Sequence, residues 1–135
     1  MKVLIDTNVI LDFVLNREPF ANEAAKIFQH IEYRTFSAVV SASAVTDIFY
    51  LLSKEKVDAI AFLKDFLSGI DVLGIDKAII MYALYSGWTD FEDAVQAQVA
   101  IENNIDAIIT RNTKDYRKLK DIQVLTPTML LQIIQ

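Results

Sequence analysis

Residues 1–12 read MKVLIDTNVILD, and this stretch decides how the fold begins. Lys2–Ile5 has the apolar character of a short buried strand, and it runs directly into three polar residues, of which Asp6 is the first. A second apolar run begins at Val9. Asp is a leading residue at helix N-termini, so Asp6 taken alone is better explained as a helix cap than as part of a site. A role in a site depends on the acids that the rest of the chain supplies.

Strands and helices alternate along the rest of the chain. The predicted strands are Lys2–Ile5, Thr35–Ser41, Ile70–Leu73, Ala107–Thr110 and Ile122–Leu125. The predicted helices are Val9–Leu15, Phe20–Tyr33, Ala42–Ser53, Val57–Leu67, Asp76–Tyr85, Asp90–Glu102 and a last one that begins at Pro127. This alternation predicts an α/β fold with a mainly parallel central sheet flanked by helices. With only three Gly, two Pro and no linker, we expect residues 1–135 to form a single domain.

The composition fits a folded protein of the cell interior. The chain is 53% hydrophobic and has no cysteine. No apolar run approaches the ~20 residues of a membrane helix, so we expect a cytoplasmic protein without a membrane partner. One His and no Cys exclude zinc and thiol mechanisms.

The charge is distributed unevenly. A net charge of −5 argues against a generally basic surface for nucleic acid. One ten-residue stretch nevertheless contains five basic residues, namely Arg111, Lys114, Arg117, Lys118 and Lys120. Such a stretch is suited to hold a phosphate backbone beside an acidic site.

Three further acids lie on separate segments. Asp47 is inside a predicted helix, where Asp is a poor helix former, and it is equally well explained at the solvent boundary or in a site. Asp93 is followed on its own helix face by small and apolar residues, so we expect its side chain to point inward. Burial of an unpaired charge is costly, and a bound cation would reduce that cost. Asp115 lies in a turn after the fourth strand, which alone is ordinary turn chemistry.

Other residues near these acids are predicted to be structural. Thr89 and Glu92 have the spacing of a capping box at the start of a helix. Asp90 and Glu92 also favour the positive end of the helix dipole. The neighbouring aromatic residues Phe49, Phe91 and Tyr116 are predicted to pack in the core, so we expect no platform for base stacking.

Taken together, the acids predict a metal site at one edge of the sheet. Asp6 follows the first strand and Asp115 follows the fourth, and open parallel sheets bind ligands at the carboxyl ends of their strands. Several carboxylates in one pocket repel each other unless a cation neutralises them. Ligands that offer only oxygen suit Mg²⁺ or Mn²⁺, and Mg²⁺ held in this way can ready a water molecule for attack on a phosphodiester.

Four segments also resemble, in the same order, the motifs of the PIN-domain ribonucleases, which include the VapC-like toxins of toxin–antitoxin pairs. They read LIDTNVILDFVLNREPF, SASAVTDIFYLL, DFEDAVQAQVA and DAIITRNTKDY, and the resemblance covers nearly the whole chain. It implies a three-layer α/β sandwich and cleavage of RNA that depends on Mg²⁺ or Mn²⁺. It also implies an antitoxin protein as partner and a homodimer.

The resemblance assigns roles to particular residues. The family's first three acids match Asp6, Asp47 and Asp93, and the resemblance carries the role of the fourth to Asp115, which comes three residues after Asn112. Two departures stand out, because the family commonly has Glu at the position of Asp47 and many members have Asp at the position of Asn112. The remaining roles implied are an additional ligand through water (Asp90), support of the site (Asn8, Thr110 and Asn112) and binding of the RNA backbone (Arg111, Lys114 and Arg117).

The sequence leaves three alternatives, of which the first fits best. The departures at Asp47 and Asn112 are compatible with a PIN fold that binds RNA or a protein without cutting. A phosphatase of the haloacid dehalogenase type fits worse, because it needs an Asp where this chain has Asn8. A response-regulator receiver also fits worse, because the third strand is followed by Gly74 and Ile75 before Asp76.

Overall fold

A computed structural model describes residues 1–134 of the chain. Five strands form one sheet in the order β3-β2-β1-β4-β5, and every neighbouring pair is parallel. The strands are β1 (Lys2–Ile5), β2 (Ser37–Ser41), β3 (Asp71–Leu73), β4 (Ala107–Ile109) and β5 (Gln123–Leu125). The helices are α1 (Thr7–Val14), α2 (Ala21–Glu32), α3 (Ala42–Lys54), α4 (Ala59–Phe66), α5 (Lys77–Tyr85), α6 (Phe91–Glu102) and α7 (Pro127–Ile134), and a short 3₁₀ helix spans Thr113–Tyr116.

Helices cover the sheet on both faces. Successive side chains of a strand point to opposite faces, so Val3 and Ile5 of β1 join one core cluster while Leu4 joins another. The first cluster packs against α1, α2, α3, α4 and α7, and the second against α6 and the 3₁₀ helix. Burial of both faces explains why the strands are continuous apolar runs in the sequence. The predicted α/β sandwich with three layers is thereby confirmed.

The strand order creates a crevice between β1 and β4. The chain leaves β1 into α1 on one face of the sheet and leaves β4 into the 3₁₀ helix on the other. The backbone N–H of Asp6, directly after β1, donates to the carbonyl of Ile109 at 2.9 Å, which joins the ends of the two strands. Ligand sites in open parallel sheets form where neighbouring strands lead in opposite directions.

The predicted elements are present, with ends that differ by at most two residues. The first helix begins at Thr7 instead of Val9, because Asp6 caps it directly after the strand. Two predictions of packing in the core are wrong, since Phe49 and Phe91 are 43% and 46% exposed. Packing of Tyr116, at 1% exposure, is confirmed. Within residues 1–134, no helix combines the length and the apolar character needed to cross a membrane.

Candidate active site

A cavity of about 330 Å³ opens at the carboxyl edge of the sheet, and acids from three elements line it. Asp6 comes from the end of β1, Asp47 from the middle of α3, and Asp93 from the first turn of α6. Glu92, which the sequence explains as a structural residue of the helix start, lines the same cavity. The structure therefore brings together three of the four acids predicted for the site and adds one that sequence reasoning assigned elsewhere.

Asp6 is held by hydrogen bonds to both of its carboxylate oxygens. The Thr110 hydroxyl donates to Oδ2 at 2.7 Å, and the Thr7 backbone N–H donates to Oδ1 at the same distance. Asn8 donates more weakly from Nδ2 to Asp6 and to Thr110, at 3.4 Å each, and accepts from the Arg111 backbone N–H at 3.3 Å. Burial raises the pKa of Asp6, and the bonds from Thr110 and Thr7 oppose that rise. Asn8 and Thr110 thus support Asp6, and Asp6 both caps α1 and faces the cavity.

The other acids of the cavity repel one another. Burial, reinforced by the carboxylates of Asp90 and Asp115, raises the pKa of Asp93 to about 7. The Asp47 carboxylate is the main cause of the raised pKa of Glu92. A cation in the cavity would lower these pKa values by favouring the ionised carboxylates.

A second cavity of about 130 Å³ shares Asp93 with the first. Its walls combine acidic and basic residues with one aromatic side chain, and the residues are Trp88, Thr89, Asp90, Asp93, Lys114, Asp115, Arg117 and Lys118. Asp115 lines this cavity and not the larger one, although its charge raises the pKa of both Asp6 and Asp93. Asn112 lines neither cavity, and its backbone N–H donates to the Thr110 hydroxyl at 3.1 Å. Of the two candidates for the fourth acidic position, Asp115 is therefore the one that interacts with the other acids.

Asp90 has a structural role that the sequence assigned to Thr89. Its Oδ1 accepts the backbone N–H of Asp93 at 3.0 Å, so Asp90 is the N-cap of α6 and the predicted capping box of Thr89 and Glu92 is wrong. The cap position also fixes the start of the helix that carries Asp93. A role of Asp90 as a ligand through water stays a prediction.

The Arg111 side chain contacts a buried acid instead of lining a cavity. Its Nε lies 2.6 Å from Oδ2 of Asp12, and its Nη2 lies 3.2 Å from Oδ1. Asp12 is 1% exposed, and its only other cation among the described residues is Arg17, at 3.8 Å. Sequence reasoning missed Asp12, because its burial depends on a partner 99 residues further along the chain. Three exposed members of the basic stretch border the second cavity, namely Lys114, Arg117 and Lys118.

The donor chemistry of the larger cavity fits a hydrated divalent cation. Within the described chain, no three acidic or histidine side chains are arranged to hold a metal ion directly. Mg²⁺, however, usually keeps several water ligands and needs only one or two carboxylates. Asp6 and Asp93 provide such carboxylates next to a space large enough for water. Gln96, a buried residue of α6 that sequence reasoning missed, lines the same space.

Comparisons with known proteins agree on the fold. The family model of the PIN domain matches residues 2–114. A structure of a toxin–antitoxin complex from Klebsiella pneumoniae superposes with a TM-score of 0.70 at 23% identity, over 93% of this chain and 97% of that chain. VapBC-1 from nontypeable Haemophilus influenzae gives 0.69 at 19% identity, over 95% and 99%.

A third similar structure is VapC20 of Mycobacterium tuberculosis, a toxin that cleaves the sarcin–ricin loop. It superposes with a TM-score of 0.64 at 13% identity, over 78% of this chain and 86% of that chain. At these identities the likeness shows a shared fold. No curated protein matches the sequence.

Proposed function

The chain belongs to the PIN-domain family, and from that premise we propose that it is an endoribonuclease that depends on Mg²⁺ or Mn²⁺ and serves as the toxin of a cytoplasmic toxin–antitoxin pair. The observation that carries the proposal is the convergence of Asp6, Asp47 and Asp93 on one cavity at the carboxyl edge of the sheet. PIN-domain membership supports nuclease chemistry. The similar structures of a toxin–antitoxin complex and of a toxin that cleaves the sarcin–ricin loop support RNA as the substrate and an antitoxin as the partner.

Each residue at the cavity has a role in this proposal. Asp6 and Asp93 would hold the cation, and the carboxylates of Asp47 and Glu92 line the same cavity. When bound, the cation lowers the pKa of a water molecule and offsets the charge that develops on the leaving oxygen. The bonds from Thr110 and Thr7 fix the orientation of Asp6 before any ligand arrives, which limits the entropy lost on binding.

The second cavity is suited to the RNA backbone. Lys114 and Arg117 border it, and their charges attract phosphate groups next to Asp93. Trp88 lies in the same wall and offers an aromatic surface to a base. An RNA strand that crosses from one cavity to the other would pass Asp93, which borders both.

Cleavage of RNA by the purified protein with Mn²⁺ tests this function. We expect cleavage by the wild type and a loss of it in Asp6→Asn and Asp93→Asn, because each change removes a carboxylate from the cavity. Asp65→Asn, an exposed acid of α4 that lines neither cavity, is the matched control. Equal cleavage by all four proteins contradicts the proposal.

A PIN fold that binds RNA or a protein without cutting is the second candidate. The observation that favours it is the lack, among residues 1–134, of three side chains arranged to hold a metal ion directly. Calorimetric titration with Mn²⁺ separates the two functions. Binding in the micromolar to millimolar range supports the nuclease, and no heat at millimolar Mn²⁺ supports the second candidate.

A homodimer is part of the proposal, and the surface of α5 supports it. Met81, Leu84 and Tyr85 are 38%, 59% and 83% exposed, and their spacing places them on one face of this helix. Large exposed apolar side chains that lie close together are typical of interaction surfaces. Light scattering on the wild type and on Leu84→Glu measures the mass directly, and a wild-type mass of one chain contradicts the dimer.

A further inference from the structure

The unpartnered buried polar atoms of the molecule are concentrated at the acidic site. In the described chain, three buried side-chain atoms lack a hydrogen-bond partner, namely Oε1 and Nε2 of Gln96 and the hydroxyl of Tyr116. Buried polar groups in folded proteins are nearly always paired, because an unpaired one loses its water without compensation. Gln96 lines the larger cavity, and the Tyr116 hydroxyl is close enough to Asp93 to influence its pKa. The free-energy cost of burying these atoms without partners therefore arises at the site where a ligand is expected.

Gln96 lies beside acids of the cavity, although its neighbours along the helix are apolar residues of the core. It is 6% exposed and lies one turn after Asp93 on the same face of α6. Its carboxamide is also near Asp6, whose pKa it lowers, although no hydrogen bond of acceptable geometry forms. Its neighbours on the helix, Val95 and Ala97, are apolar and buried, as a core position requires. A Met or Leu at position 96 would avoid the unpaired amide, so packing alone does not explain the glutamine.

A hydrated divalent cation offers what the Gln96 amide lacks. The water molecules of such a cation are strong hydrogen-bond donors, and the Gln96 Oε1 is an acceptor. The carboxylates around the cavity accept hydrogen bonds and cannot donate to that oxygen when ionised. Side chains that hold the outer sphere of a metal site typically change metal affinity by 10–100-fold when mutated.

We propose that Gln96 is a positioning residue for the cation of the acidic cavity, with Oε1 accepting a hydrogen bond from a water molecule that the cation carries. The inference rests on the proposed function, since it needs a cation in that cavity. Gln96 touches neither the reacting phosphate nor the attacking atom in this role. It restricts where the hydrated ion lies relative to Asp6 and Asp93.

Two measurements on full-length Gln96→Met test the proposal. Met has a similar length and no amide, so we expect the Kd for Mn²⁺ in calorimetry to rise about tenfold or more. We also expect the melting temperature of the metal-free protein in EDTA to stay the same or to rise, because the unpaired amide is gone. A merely structural glutamine would give the opposite pair of results, a lower melting temperature and an unchanged Kd.

Gln98→Met is the matched control. Gln98 lies on the same helix, lines neither cavity and donates to Glu102 at 3.0 Å. We expect its Kd for Mn²⁺ to stay within about twofold of the wild type. An equal weakening in Gln98→Met and Gln96→Met overturns the proposal, because the effect would then come from α6 as a whole.

Nuclear magnetic resonance of the wild type provides a test that needs no variant. Mg²⁺ is diamagnetic, so its binding is expected to shift the side-chain amide signal of Gln96 together with the backbone signal of Asp93. A shift at Asp93 with an unchanged Gln96 amide overturns the proposal even where Gln96→Met does not fold. A wild type that binds neither ion refutes the proposed function as well, whereas binding that Gln96→Met leaves unchanged refutes this inference alone.

Discussion

Replacement of Arg111 by Ala is expected to destabilise the protein strongly and to do so through Asp12. The Asp12 carboxylate is 1% exposed, and the two hydrogen bonds from Arg111, at 2.6 and 3.2 Å, are its main compensation. Removal of one partner of a buried ion pair typically costs about 3–5 kcal/mol, because the other charge stays buried. Arg17 remains 3.8 Å away and partly offsets the loss, so we expect the lower end of this range, about 3 kcal/mol.

A smaller contribution comes from Phe20. The guanidinium carbon of Arg111 lies 4.0 Å from the centroid of the Phe20 ring, and a partly exposed contact of this kind contributes about 0.5–1 kcal/mol. A domain of this size loses roughly 3–5 °C of melting temperature for each kcal/mol, so Arg111→Ala should melt about 10 °C or more below the wild type.

Urea unfolding at neutral pH measures this loss, with circular dichroism as one probe and the fluorescence of Trp88, the single tryptophan, as the other. Arg117→Ala, an exposed arginine of the same basic stretch, is the control and should change the free energy of unfolding by less than about 0.5 kcal/mol. The double variant Asp12→Leu/Arg111→Met should recover most of the stability, since no buried charge remains. Unchanged stability of Arg111→Ala together with a loss of RNA binding would refute this reasoning and restore Arg111 as a residue that binds substrate.

Three further outcomes follow from the site. The folded protein keeps the Asp93 proton to about pH 7, whereas the unfolded chain releases it near 3.8, so the unfolding free energy of the metal-free protein falls as pH rises between these values. Asp93→Asn avoids that loss of stability and should therefore raise the melting temperature more at pH 8 than at pH 5. An equal effect at both pH values contradicts the raised pKa of Asp93. Binding of a single-stranded RNA that cannot be cut should quench the fluorescence of Trp88, and Lys114→Ala should weaken this binding. If the quenching does not depend on Lys114, the RNA does not follow the second cavity. Asp90→Ala should lower the free energy of unfolding by about 1 kcal/mol, because the helix cap is lost, and Asp90→Asn should lower it much less. A similar loss in both variants would mean that the charge of Asp90, and not its cap, is responsible.

Local patterns were sufficient for the fold and for the acids that follow strands. Lys2–Ile5 is buried on both faces, so its apolar run is visible without any partner, and Asp6 is marked by its position at the end of that run. Asp12 could not be recognised in the same way, because it lies in a helix whose other buried residues are apolar, and only Arg111 explains its burial. Long-range pairs of this kind leave no trace in the spacing of neighbouring residues.

Gln96 left a weak signal that was available in the sequence. It lies three residues after Asp93, and residues at this spacing share a helix face, so a polar residue there points toward the same site. The signal was missed because most of α6 is buried and apolar, and a glutamine between Val95 and Ala97 reads as an irregularity of a buried helix. Glu92 was missed for a different reason, since the dipole of the helix already explained an acid in its first turn.

At the acidic cavity, the residues proposed to bind a ligand are also residues that lower the stability of the folded chain. Asp6, Asp93 and Glu92 each have a raised pKa, so the folded chain at neutral pH carries carboxylates that repel one another or retain protons. Gln96 adds two unpaired polar atoms to the same region. A fold that selection had shaped for stability alone would replace such groups, because apolar or amide side chains of similar size relieve each cost. Under the proposed function, a hydrated cation at this edge of the sheet would neutralise the carboxylates and donate hydrogen bonds to Oε1 of Gln96, so one ligand would offset several of these costs.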